Sequence, residues 1–209
     1  MADSSLFVFC SAKTIIYLLL YVDDIIITGN NSFQINLITA LGQVFELKDL
    51  GSLHYFLGIQ ITKSSYGLTL TQSKYASDVL HRFHMENSKP TKTLSCSSTH
   101  LVPHDGVPLS NPSLYRRMVG ALQYLTFTRP DIAFSVQQLC QFMSHPTTTH
   151  FEAAKRVLHY IRGTLHFGVS FTPGPLTLTA FSDADWAGDP TDRRSTTGLL
   201  VFLGPNPIS

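Results

Sequence analysis

The sequence predicts an α+β protein, and three observations carry the prediction. Short β-branched and aromatic runs open the chain at Ser5–Phe9, Thr14–Tyr21 and Ile25–Thr28, each too short for a good helix. Between residues 111 and 163, apolar residues recur at helical spacing in three successive stretches. Strand-like runs return beyond the Pro173-Gly174-Pro175 turn. Strands and helices therefore fall in blocks instead of alternating.

The elements follow in order. Gly29-Asn30-Asn31 ends the third strand. A helix is expected next, capped by Asn31 or Ser32, with Phe33, Leu37, Leu41, Val44 and Phe45 on one face. Lys48–Gly51 reads as a turn. Leu53, Tyr55, Leu57, Ile59 and Ile61 then alternate with His54, Phe56, Gly58, Gln60 and Thr62, which predicts one half-buried strand. Ser64–Gly67 closes a hairpin onto Leu68–Thr71, and a helix follows with Tyr75, Val79 and Phe83 on one stripe. Residues Glu86–Pro112 hold four of the eleven prolines among many Ser and Thr residues and read as a partly extended, partly mobile connection.

Asn111 and Pro112 open the first of three helices, which carries Leu114, Met118, Leu122 and Leu125; Arg129-Pro130 breaks it. A second, from Asp131, carries Ile132, Val136, Leu139, Cys140 and Met143. A third, from near His145-Pro146, carries Phe151, Ala154, Leu158 and Ile161 and stops at Gly163. Short connections predict a small bundle. Leu176–Asp183 and Thr196–Leu203 are the last strands. A sheet with a bare face is not a stable domain, so the C-terminus reads as cut.

With 209 residues, 44% of them hydrophobic, the chain has enough apolar material for a core in one or two domains. The net charge of +1 excludes a strongly basic nucleic-acid glove and an acidic tail as overall descriptions. Cys10, Cys96 and Cys140 give no disulfide framework and no Cys-x-x-Cys site. The longest apolar run, Ile15–Val22, is too short to span a membrane, and the N-terminus has no signal-peptide pattern. An intracellular, non-secreted chain without a membrane span is expected.

Tyr21-Val22-Asp23-Asp24 is the sharpest motif. Two adjacent carboxylates sit between apolar strands, and no glycine is present to explain the turn. Such a pair either makes an exposed turn soluble or holds Mg²⁺, which takes oxygen ligands and substrate phosphates. From Ser113 to His166, six basic residues oppose two acidic ones, a local balance of +4. That is either a solvated helical face or a phosphate-contact surface through Arg116, Arg117, Lys155, Arg156 and Arg162. Cys96, His100 and His104 supply only three ligands where a closed zinc site needs four, and read as polar linker residues. Asp185, Asp189 and Asp192 read as solvated loop charges.

Leu18–Ile25, centred on the Tyr-x-Asp-Asp string, resembles the polymerase signature of reverse transcriptases, in its copia-type retrotransposon form. Further segments in order resemble the same family. Lys48–Gly51 with Tyr55–Ile61 is similar to the stretch that grips the primer end, so Phe56, Leu57, Gly58, Ile59 and Gln60 are primer-grip-like. Leu70–Tyr75 is similar to the next block. Tyr115-Arg116, Val119–Leu125 and Thr128–Ile132 resemble the thumb, and Ala180–Gly188 with Arg193–Gly198 the opening of a ribonuclease H domain.

The resemblance implies a truncated palm over 1–85, a linker over 86–112, a thumb-like helical region over 113–166 and the first strands of a ribonuclease H-like sheet over 167–209. It implies phosphoryl transfer with Mg²⁺ at Asp23 and Asp24, a ribonuclease H carboxylate at Asp183, and an RNA/DNA template-primer as partner. The family's first catalytic aspartate and fingers have no match here, since the sole acid before Asp23 is Asp3. The expectation is a retrotransposon RNA-directed DNA polymerase fragment, inactive alone, its missing parts supplied by another chain. The alternative is a domesticated, non-enzymatic nucleic-acid-binding module.

Overall fold

A computed structural model of the chain describes residues 5–30, 33–94, 101–188 and 193–209. The proposed caps Asn31 and Ser32, together with Asp3, Cys96, His100, Asp189 and Asp192, lie outside the described residues. The fold is mixed α/β, with small antiparallel sheets and five α-helices among the described residues. The chain divides into two compact units, Met1–Phe56 and Leu57–Ser209.

The first unit contains β1 (Leu6–Cys10), β2 (Ile15–Tyr21) and β3 (Asp24–Gly29), an antiparallel sheet in that order. α1 (Phe33–Val44) and the two-residue β4 (Tyr55–Phe56) follow. The helical stripe is only partly realised: Leu37 and Leu41 are half-buried, whereas Val44 and Phe45 are exposed. The ten-residue strand expected from Leu53 does not form. Leu57 (φ +46°) and Gly58 (φ +76°) interrupt it with the two left-handed residues of a primed turn. Period-two alternation continues through such a turn in the sequence, so it hides the break.

The second unit holds the core. β5 (Ile59–Ser64) and β6 (Gly67–Thr71) form the expected hairpin, and α2 (Ser73–Arg82) follows. α3 (Ser113–Leu125), a 3₁₀ turn (Pro130–Ile132), α4 (Ala133–Cys140) and α5 (Thr148–Gly163) make up the bundle. Val79 and Leu80 of α2 pack against Tyr115, Val119, Leu122, Ile132, Val136, Leu139, Leu158 and Ile161, all fully or almost fully buried. Each such Val, Leu or Ile side chain stabilises the fold by about 1.5–3 kcal/mol. Asn111 Oδ1 accepts from Ser113 N at 3.0 Å, but the N-cap of α3 is Pro112, one residue later than expected, and it makes no side-chain cap bond.

β7 (Gly168–Phe171), which has no strong sequence pattern, pairs antiparallel with β6. The approach is close enough that a Cβ on Gly168 would lie 2.1 Å from Leu70 O. β8 (Leu178–Ala184), β9 (Thr197–Leu203) and the two-residue β10 (Asn206–Pro207) form a further antiparallel sheet in the order β10-β9-β8. Every residue of β8 is exposed.

The described part of the 86–112 connection, expected to be partly extended and partly mobile, is tied to the bundle at several points. Thr91 N donates to His159 O, Thr148 N to Val107 O and Leu109 N to Pro146 O. Leu94, Leu101 and Leu109 pack against the core. No described helix is long and apolar enough to cross a membrane.

Candidate functional site

Strand register builds the carboxylate hairpin. Tyr21 pairs with Asp24, which leaves Val22 and Asp23 as the two turn residues. Val22 takes φ +50° and is 81% exposed. A β-branched residue there is strained, at roughly 1–3 kcal/mol, and its side chain gains no burial in return. The turn lifts Asp23 to the tip and sets Asp24 at the start of β3, both exposed. Two exposed carboxylates suit a hard cation that keeps several waters and takes phosphate oxygens. Among the described residues no cluster of three or more His, Cys, Asp or Glu side chains forms a metal cage, so the pair alone offers a partial ligand set.

Tyr21, just before the turn, meets Phe56 edge to face at 6.5 Å between ring centroids. The structure thereby brings one primer-grip-like residue to the base of the hairpin. The others belong to the second unit. The Leu57 carbonyl accepts from Tyr124 Oη at 2.6 Å. Gln60 Oε1 accepts from Lys74 N at 3.1 Å, so this carboxamide serves the first turn of α2, where Gln72 at the N-cap makes no side-chain cap bond.

The basic residues of the bundle are largely engaged within the protein. Arg116 donates through Nε to Met143 O and through Nη2 to Ser144 O. Arg156 Nη2 donates to Thr93 Oγ1, Arg162 Nε to Glu86 O, and Lys155 pairs with Glu152 at 2.8 Å. Arg117 is exposed. Arg129 is buried, bonded to both Asp131 oxygens and to Thr164, between the rings of Tyr160 and Phe167. A pocket of about 490 Å³ beside α4 and α5 is lined by Lys155 and Arg156 among others, and by none of Asp23, Asp24 and Asp183.

Asp183 lies near the end of β8, opposite Gly198, and is exposed. Asp185 is more than a solvated loop charge. Its Oδ1 accepts from Thr196 N at 2.8 Å and Gly188 N at 3.4 Å, closing the loop between β8 and β9. His104 is exposed.

Sequence reasoning missed three residues. Tyr124 gives no local signal. Arg129 looks like another phosphate-seeking cation. His150 is fully buried, stacked on Phe142 at 3.9 Å. Its Nδ1 accepts from Thr147 N at 3.0 Å, so Nε2 carries the proton and donates to Val102 O at 3.1 Å. Thr147-x-x-His150 is legible as a capping box once His is admitted at the place usual for Glu or Gln.

An antiparallel sheet ending in a strained turn that presents paired carboxylates, followed by a helical bundle, defines a mixed α/β chain. Residues 1–96 match the reverse transcriptase (RNA-dependent DNA polymerase) family. The chain is 48% identical over 210 residues to the retrovirus-related Pol polyprotein from transposon RE1 of Arabidopsis thaliana and 47% identical to that from transposon RE2. Each alignment covers all of this chain and 14% of the polyprotein. An uncharacterized mitochondrial protein of the same plant is 48% identical over 196 residues, spanning 92% of this chain and 81% of that protein. No solved structure matches. The chain belongs to the copia-type retrotransposon Pol polyproteins, with its reverse transcriptase match over residues 1–96.

Proposed function

We propose that this stretch contributes the paired-carboxylate hairpin of a nucleotidyl-transfer centre for RNA-directed DNA synthesis. The observation that carries the reading is the Val22-Asp23 turn. A strained, exposed valine stands at its first position, beside the two adjacent carboxylates. Asp23 and Asp24 would hold Mg²⁺, which when bound neutralises charge on the reacting phosphates and activates the attacking hydroxyl. Tyr21, braced by Phe56, fixes the base of the hairpin. Residues 56–60 position the primer end. Arg117 and Lys155, with the charges of Arg116, Arg156 and Arg162 behind them, lie along the nucleic-acid backbone.

In this reading residues 1–85 are palm, 86–112 a connection, 113–166 a thumb-like region and 167–209 the opening of a ribonuclease H-like sheet, with Asp183 as its first carboxylate. The 209-residue polypeptide by itself is inactive, because Asp23 and Asp24 lack a third carboxylate among the described residues. A further chain supplies it. The test is Mn²⁺ titration followed by paramagnetic NMR broadening. Amides 21–25 should broaden first, and Asp23→Asn with Asp24→Asn should abolish the effect. Broadening spread evenly over all exposed acids would remove the metal site.

A further inference from the structure

We propose that Tyr124 is a positioning residue that locks the Leu57–Gly58 turn and, through it, the grip on a recessed primer 3′ end. The inference rests on the reading of residues 56–60 as that grip. Leu57 and Gly58 stand consecutively at φ +46° and +76°, a conformation unfavourable for leucine and therefore in need of support. Tyr124 Oη supplies it by donating to Leu57 O at 2.6 Å. A Cβ on Gly58 would lie 3.0 Å from the same hydroxyl, so the turn fits beneath the phenol because position 58 is glycine.

The phenol is itself held from two directions. The Tyr75 ring of α2 meets it edge to face at 4.9 Å, and Phe127, just beyond α3, meets it at 5.8 Å. Tyr75 Oη in turn donates to Ala121 O at 3.4 Å. The turn is thus tied to α2 and α3 at once. Tyr124 and Leu57 are 36% and 37% exposed and stand outside the buried core. A lock on an exposed turn serves the aim of that turn more than the packing of the bundle.

Tyr124→Phe removes the hydroxyl and keeps the ring contacts. The unaltered 209-residue protein is compared with this variant for binding to an RNA–DNA template-primer with a recessed 3′ end and to a blunt hybrid of equal length. Carbon-13 labelling of the Leu57 carbonyl reports the bond directly. The unaltered protein should prefer the recessed end. The variant should lose roughly two- to tenfold of that preference, the range expected for one hydrogen bond. Its blunt-hybrid affinity should stay unchanged, and the Leu57 carbonyl resonance should move. Gly58→Ala, which pushes a methyl at the hydroxyl, should reproduce the loss and serves as the readout if the first variant unfolds.

A preference kept in full after the Leu57 resonance has moved overturns the role of Tyr124 while leaving the grip intact. An unmoved resonance overturns the lock. No preference in the unaltered protein overturns the grip, and the positioning role with it.

Discussion

His150 acts as a hydrogen-bond acceptor toward Thr147 N and a donor toward Val102 O, and only the neutral ring can do both. Burial lowers its pKa from the ordinary value, against smaller upward pulls from the Val102 bond and the Asp105 charge. The unfolded state therefore binds the proton more readily. The stability that His150 contributes is full above the unfolded-state value of about 6.5 and is lost as pH falls from there through the folded-state value. Urea midpoints should fall between pH 7.5 and pH 5, and His150→Gln should flatten that dependence while lowering stability at pH 7.5. Arg129 is the second structural residue that resembles a functional one. Burial works to raise the Asp131 carboxyl, but the Arg129 and Tyr160 bonds outweigh it and hold the group below the usual range. Arg129→Ala takes the guanidinium from both Asp131 oxygens and from Thr164 O, and leaves Asp131 with the Tyr160 hydroxyl as its side-chain donor. Chemical denaturation should record a loss of about 3 kcal/mol.

At the scale of elements, β8 is exposed along its whole length, as β1 is, and β9 over its first four residues. Leu178, Phe181 and Leu199 are exposed, whereas α3 and α5 each bury a full apolar stripe. Amide exchange should be fast over residues 176–203 and slow in α3 and α5; equal protection would mean that the sheet is covered in solution. The bundle carries a second prediction. If phosphates lie along it, binding to duplex DNA should weaken with salt by about 0.9 decade per decade for each contact. Arg117→Ala with Lys155→Ala should flatten that slope, and an unchanged slope puts the phosphates elsewhere. Met118, Leu122 and Leu125 of the α3 stripe were legible because burial follows a 3.6-residue period, whereas Leu114, expected on the same face, is exposed in the first turn. The Leu57–Gly58 turn was not, since alternation runs through it unbroken. The fastening of residues 101–109 was not legible either. It depends on Thr147, Thr148 and His150, some forty residues away, through the Val102, Asp105 and Val107 main chain. At the site, the carboxylate pair and its glycine-free turn were visible in the sequence. The engagement of Arg116, Arg156 and Arg162 with main-chain and Thr partners was not, because charge alone does not say what it faces.

For the whole molecule, the expectation is that the isolated 209-residue protein extends no primer on an RNA template with Mg²⁺ or Mn²⁺. Positioning of reactants alone can supply about 7–11 kcal/mol of a barrier, or roughly five to eight decades in rate. A turn with two carboxylates does not provide it. Extension that disappears when Asp23 and Asp24 are both changed to Asn would show that the protein completes the centre unaided. The pairing of β6 with β7 has a different consequence, one of timing. Leu68–Thr71 must wait for Gly168–Phe171, with four helices made in between. On a ribosome β6 is therefore synthesised long before its partner emerges, with an unsatisfied edge open to other nascent chains. Closing a loop of that length places assembly among the slower, high-contact-order events. Yield of soluble protein should thus depend on how quickly α5 and β7 follow β6 out of the exit tunnel, and slower translation over residues 72–167 should favour aggregation.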